Sequence, residues 1–160
     1  MHKTHNDLAA NTRGAMISLL QARLADAIDL STQTKQAHWN VKGPHFIGLH
    51  ELFDQVHEHV DQAVDLVAER LVALGGVAEG TARAVAKRSG LDEYPLDIAA
   101  GTDHVAALSN ALAAFGKAVR KSIDEASEAG DQDTADLFTE VSRQADKDLW
   151  MVEAHLQADS

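Results

Sequence analysis

The sequence predicts an all-α protein, a four-helix bundle with a short helix in the long crossover between its second and third helices. Three observations carry the prediction. Only two prolines occur, Pro44 and Pro95. Between the breaks, apolar residues recur at steps of three and four, the helical period. One connection alone is long, about 25 residues from Gly76 to Gly101, enough to carry the chain the length of a bundle, whereas short links make neighbouring helices antiparallel.

The first helix is expected from about Leu8 to His38, with Ile17, Leu20, Leu24, Ala27 and Ile28 on one face, before Gly43-Pro44 interrupts it. The second shows the fullest stripe, from Leu49 through Leu52, Phe53, Val56, Val60, Val64, Val67 and Leu71 to Leu74, and stops at Gly75-Gly76. The short crossover helix falls around Thr81 to Lys87. Thr102 is the expected N-cap of the third helix, whose stripe Val105, Leu108, Leu112, Phe115, Val119 and Ile123 ends near Gly130. The fourth follows the Asp131 to Asp133 turn, with Phe138, Val141, Ala145, Leu149, Val152 and Leu156. Residues 1–160 thus read as a single domain with a short tail, 1–7.

Composition narrows the chemistry. The 160 residues are 45% hydrophobic, enough for one sizeable core. No Cys is present, which excludes disulfides, thiolate metal sites and a thiol nucleophile, and leaves His and carboxylate as metal ligands. The net charge of -11 opposes broad contact with phosphate backbones. No apolar run approaches the roughly 18 residues of a membrane span, and no signal-peptide core follows Met1. The expected setting is the cytoplasm, with nucleoid association only if DNA is bound.

Five of the nine histidines lie between His38 and His59, among Asp54, Glu58, Asp61, Asp65 and Glu69. A solvated helix face would explain any one of these residues, but their spacing says more. His50 and Asp54 are four apart, as are Asp65 and Glu69, so each pair projects from one helix face and can share an ion. Asp54 and Asp65 are separated along the axis by about 16 Å, too far for one ion or for a two-metal site. Each half must be completed from elsewhere. A second copy of this helix, antiparallel about a two-fold axis, would set His50 and Asp54 of one chain opposite Asp65 and Glu69 of the other and make two equivalent sites. His38, at the end of the first helix, can fold back beside His50; His45 is a weaker candidate. Imidazole with carboxylate suits Fe(II), Mn(II) or Zn(II). The segment His50-Glu51-Leu52-Phe53-Asp54 lacks the second histidine of a zinc-protease helix, and no phosphate-binding glycine loop or serine elbow is present.

The runs His38-Trp39-Asn40-Val41-Lys42-Gly43-Pro44-His45-Phe46 and Leu49-His50-Glu51-Leu52-Phe53-Asp54, then Asp65 with Ala68-Glu69-Arg70, resemble the Dps family of ferritin-like mini-cages. The likeness extends over nearly the whole chain, to Asp146-Lys147 and Leu149-Trp150 in the last helix. It implies a ferroxidase centre made of His38, His50 and Asp54 from one subunit with Asp65 and Glu69 from its two-fold partner. It further implies a hollow dodecamer that oxidises Fe(II), preferentially with hydrogen peroxide, and keeps the ferric mineral inside. In that family Asp54 would bind iron directly or through water and help deprotonate it. Trp39 and Trp150 would lie near the centre and could quench radicals; packing at the subunit interface is the plainer role for both. Arg70 could orient a carboxylate, or be a solvated charge at a helix end.

Six acids and no base occupy Asp124 to Asp136. The resemblance implies a three-fold pore for iron uptake there, lined by Asp131 and Asp136 with Glu128 next. The alternative is that Asp131 and Asp133 cap the fourth helix and the others solubilise the end of the third. The chain departs from the family's Lys-rich arms: the first seven residues offer Lys3 with His2 and His5, and the last three, Ala158-Asp159-Ser160, offer no base. DNA binding is therefore expected to be weak or absent, and stronger when His2 and His5 are protonated. Two other classes compete with the ferroxidase: an architectural nucleoid protein with a secondary metal site, and a helical module that buffers zinc or manganese without turnover.

Overall fold

The computed structural model of the chain describes residues 1–158. The last two, Asp159 and Ser160, on which part of the base-free C-terminal end rests, lie outside the described residues. Five α-helices are present among them: α1 Ala10–Asn40, α2 Phe46–Ala73, α3 Ala82–Arg88, α4 Gly101–Glu128 and α5 Gln132–Glu153, followed by a 3-10 turn, Ala154–Leu156. No strand occurs among the described residues, only an isolated bridge between Lys42 and Ala100. The all-α bundle with a short crossover helix is the architecture that helical periodicity predicted.

α1 packs along α2 and α4 along α5; the two pairs close on each other through α1 with α4 and α2 with α5, while α3 lies against α1. One apolar cluster runs through the four long helices, with Leu20, Leu24 and Leu30 of α1, Phe53 and Leu71 of α2, Phe115 of α4 and Phe138 of α5 at its centre. The crossover is tied to α1 by polar contacts that satisfy buried groups. Asp26, 2% exposed, accepts from the Gly90 amide at 2.7 Å and pairs with Arg23 at 2.9 Å, and Gln33 donates to the Asp92 carbonyl at 3.0 Å.

Helix ends follow backbone geometry more closely than side-chain caps. α2 stops where Gly75 turns to φ +94°, a conformation that disfavours a side chain. α4 corrects one expectation: its N-cap is Ala100 with no side-chain bond, so Thr102 lies inside the first turn. The bridge explains the early start, because the Lys42 amide donates to the Ala99 carbonyl at 2.9 Å and fixes the chain just before Ala100, whose own carbonyl accepts from His104 at 3.2 Å. At the other end, Asp131 does cap α5, accepting from the Thr134 amide.

His104, 1% exposed, lies in this junction with its Nδ1 2.6 Å from the Tyr94 hydroxyl and its Nε2 without a partner. Burial pushes its pKa below the ordinary histidine value of 6.5. Because the folded value is the depressed one, the stabilisation is complete above pH 6.5 and is lost as pH falls towards the folded value. Urea midpoints at pH 7 and pH 5 should therefore differ more in the native chain than in His104→Gln, which keeps a partner for Tyr94 and cannot take up the proton. Equal differences in the two proteins would remove this role.

Candidate metal half-sites on α2

The residues singled out by spacing gather where α1 ends and α2 begins. Asn40 closes α1, Gly43 turns the chain at φ +117°, and α2 starts at Phe46, so His38 and His50 come face to face across a short corner. Their rings stack with centroids 3.7 Å apart and 21° between planes. Each Nδ1 lies 2.8 Å from the other residue's backbone carbonyl. A carbonyl can only accept, so each ring carries its proton on Nδ1 and leaves the Nε2 lone pair available, the arrangement that fixes metal-binding histidines. Two nitrogen donors are thus oriented by main chain alone.

Asp54, one turn along α2, brings its Oδ1 to 3.9 Å from His38 Nδ1. The same oxygen accepts from Lys35 Nζ, and this bond holds the carboxyl below its ordinary value of 3.8. Asp54 is therefore an ionised carboxylate with a cation already on it. Lys35 is a partner that spacing did not find, because it lies on α1, 19 residues away. His57 turns back to Ser31, with Nδ1 3.0 Å from its hydroxyl, and His45 lines a cleft with Pro44, Leu49 and His155.

Asp65 and Glu69 lie further along α2, both exposed. Among the described residues no group of three or more His, Asp or Glu side chains converges within the chain in a way that could hold a metal ion. His38, His50 and Asp54 form one partial set, and Asp65 with Glu69 another. Trp39 and Trp150 are 66% and 61% exposed, so each presents a large indole outside the chain's own core.

Arg70 is not a solvated charge. Its guanidinium donates to Asp131 Oδ1 at 2.7 Å and to Thr134 Oγ1 at 3.0 Å, binding the end of α2 to the start of α5. Asp131 is 2% exposed and also accepts from the Thr134 amide at 3.0 Å and hydroxyl at 2.6 Å. Glu128 and Asp136, the other two acids expected at a pore, are exposed.

Comparison with known proteins places this architecture in a class. A family model described as the Ferritin-like domain matches residues 17–160. The chain is 48% identical to the DNA protection during starvation protein of Agrobacterium fabrum over 99% of this chain and 98% of that one. Among solved structures it is similar to Mycobacterium smegmatis Dps, with a TM-score of 0.93, 34% identity and coverage of 98% of this chain and 95% of that chain. It is also similar to Dps from Microbacterium arborescens in the high iron form, with a TM-score of 0.87, 31% identity and coverage of 97% and 99%. The chain belongs to the Dps family of ferritin-like proteins.

Proposed function

We propose that this protein takes up Fe(II), oxidises it at sites shared by two-fold related subunits, and stores the ferric product inside a hollow homo-oligomer, the dodecamer of its family. The observation that carries the reading is the His38–His50 clasp: two imidazoles with free Nε2 atoms beside an ionised Asp54, with no further ligand brought to them among the described residues. Asp65 and Glu69 of the partner subunit complete the set. No helix of the described residues is long and apolar enough to cross a membrane. The names of the relatives support the same reading, with one neighbour described in a high iron form and another as protecting DNA during starvation.

Hydrogen peroxide is the oxidant proposed. Two ferrous ions surrender one electron each, and the peroxide, with two protons, leaves as two waters; removing both reactants together protects nearby DNA. Asp54, released from Lys35 as iron binds, accepts a proton from iron-bound water. The exposed Glu128 and Asp136, with Asp131 behind them, supply the negative field for iron uptake, and Trp39 and Trp150 flank the shared site, where either ring can surrender an electron to a stray radical. Anaerobic addition of Fe(II) and then peroxide tests the reading: peroxide should vanish at one equivalent per two irons and far faster than without protein. Consumption at the uncatalysed rate would leave only a metal buffer.

An architectural DNA-binding role is the second reading, favoured by the relatives' name. The N-terminal segment opposes it. The His2 amide donates to the Gly75 carbonyl at 2.7 Å, so the segment lies against the end of α2, and Lys3 is its single permanent cation. In a gel-shift series at pH 7.5, duplex DNA should remain unbound at physiological salt, with retardation emerging only at low salt or near pH 6. Retardation at pH 7.5 that persists at physiological salt and weakens steeply only as salt rises further would favour the architectural role.

A further inference from the structure

A groove of about 360 Å³ runs between α2 and α5, and neither His38 nor His50 lines it. Its polar walls are His59 and Gln62 of α2 with Glu140, Arg143, Gln144 and Lys147 of α5. Behind it Asp148 is 1% exposed. His59 Nδ1 lies 2.8 Å from Asp148 Oδ1, and Gln144 Nε2 donates to the same oxygen at 3.0 Å. A carboxylate accepts only, so the ring proton is on Nδ1 and Nε2 points away from Asp148. Burial pushes the Asp148 carboxyl upward while the His59 contact opposes that shift, as expected for an acid whose charge depends on the imidazole beside it.

Two kinds of ligand compete for such a groove. A divalent cation would find only His59 and Glu140 as imidazole or carboxylate donors, with the positive charges of Arg143 and Lys147 beside them. That is too few ligands and the wrong local charge. An oxyanion finds two permanent cations one helical turn apart, two side-chain amides, and a histidine ring held in place by Asp148. Arg143 and Lys147 make no ion pair among the described residues, although Arg70, Arg120 and Lys121 on neighbouring segments each have one. Glu140 is the one carboxylate on the groove wall, and the Lys147 charge also acts on the buried Asp148 carboxyl, so the two cations outnumber the exposed acid of the groove.

We propose that the α2–α5 groove is an oxyanion site for a tetrahedral phosphate dianion, with Arg143 and Lys147 supplying charge, Gln62 supplying an amide donor, and the His59 ring, held by Asp148, closing one wall. Asp148 and Gln144 are positioning residues that fix the imidazole. The assignment does not depend on iron oxidation, so it survives or fails separately from the function proposed above.

The test is equilibrium dialysis of radiolabelled inorganic phosphate against the metal-free, assembled protein, at fixed ionic strength in chloride. Saturable binding at one phosphate per chain is expected. Arg143→Gln and Lys147→Gln, both at exposed positions, should each weaken it about tenfold, the scale of one charge-assisted hydrogen bond. Asp148→Asn should weaken it too, while Arg120→Gln, which removes an equal charge elsewhere, should not. Phosphate retention unchanged in the Arg143→Gln/Lys147→Gln double variant would overturn the proposal, as would complete displacement by matched chloride. Saturable zinc binding lost in His59→Ala, with no phosphate binding in the native chain, would assign the groove to a metal instead.

Discussion

Chains carrying His50→Ala and chains carrying Asp65→Ala, each about a hundredfold or more slower than native in Fe(II) oxidation, should recover about a quarter of the native rate when unfolded and reassembled together. The fraction follows from two-fold symmetry. Half of the randomly formed pairs are mixed, and in each mixed pair one site unites the native His50 of one chain with the native Asp65 of the other, while the second site has lost both. The structural basis is the length of α2, which separates Asp54 from Asp65 by 11 residues, about 16 Å, and leaves Asp65 and Glu69 exposed. A site held within one chain could never be restored by mixing these variants. Absence of recovery, with both variants shown to assemble, would therefore place the second half of the site in the same protomer and end the shared-centre reading.

How much of this was legible in the sequence depended on range. The α2 stripe, its stop at Gly75 and the short helix after Thr81 are local properties, set by a period and by a residue that tolerates positive φ, and they could be read directly. The motif residues likewise led to the family that the comparisons show. The start of α4 was misplaced because a main-chain bond from Lys42 to Ala99, 57 residues apart, fixes it, and no local side chain signals such a bond. The same limit hid two ion pairs, one at a half-site and one between helices. Lys35 reaches Asp54 from another helix, and Arg70 reaches Asp131 across 61 residues. Sequence left Arg70 between orienting a carboxylate and lying in solvent, since an arginine at a helix end carries no mark of its partner. His59 and Asp148, 89 residues apart, left no pattern at all.

Asp131→Ala should cost about 3–5 kcal/mol of stability, the scale for breaking a largely buried ion pair, because it strands the Arg70 guanidinium between α2 and α5. It also removes the N-cap of α5, a loss of about 1 kcal/mol when it acts alone, and the two effects overlap because one carboxylate serves both. Urea unfolding at a fixed protein concentration would measure the change, since assembly makes the midpoint concentration-dependent. The double variant Arg70→Met/Asp131→Ala should regain part of the loss by removing the stranded charge along with its partner. This comparison also separates the two roles open to the acidic turn. A carboxylate that frames the fold should lower stability when removed, whereas one that draws iron inward should slow Fe(II) uptake without moving the urea midpoint. On the iron path proposed above, Glu128→Gln and Asp136→Asn, at exposed positions, should slow uptake at low ionic strength more than at high. If Asp131→Asn, which keeps one oxygen for Thr134, slowed uptake as much as those two at unchanged stability, the buried carboxylate would belong to the iron path as well as to the cap.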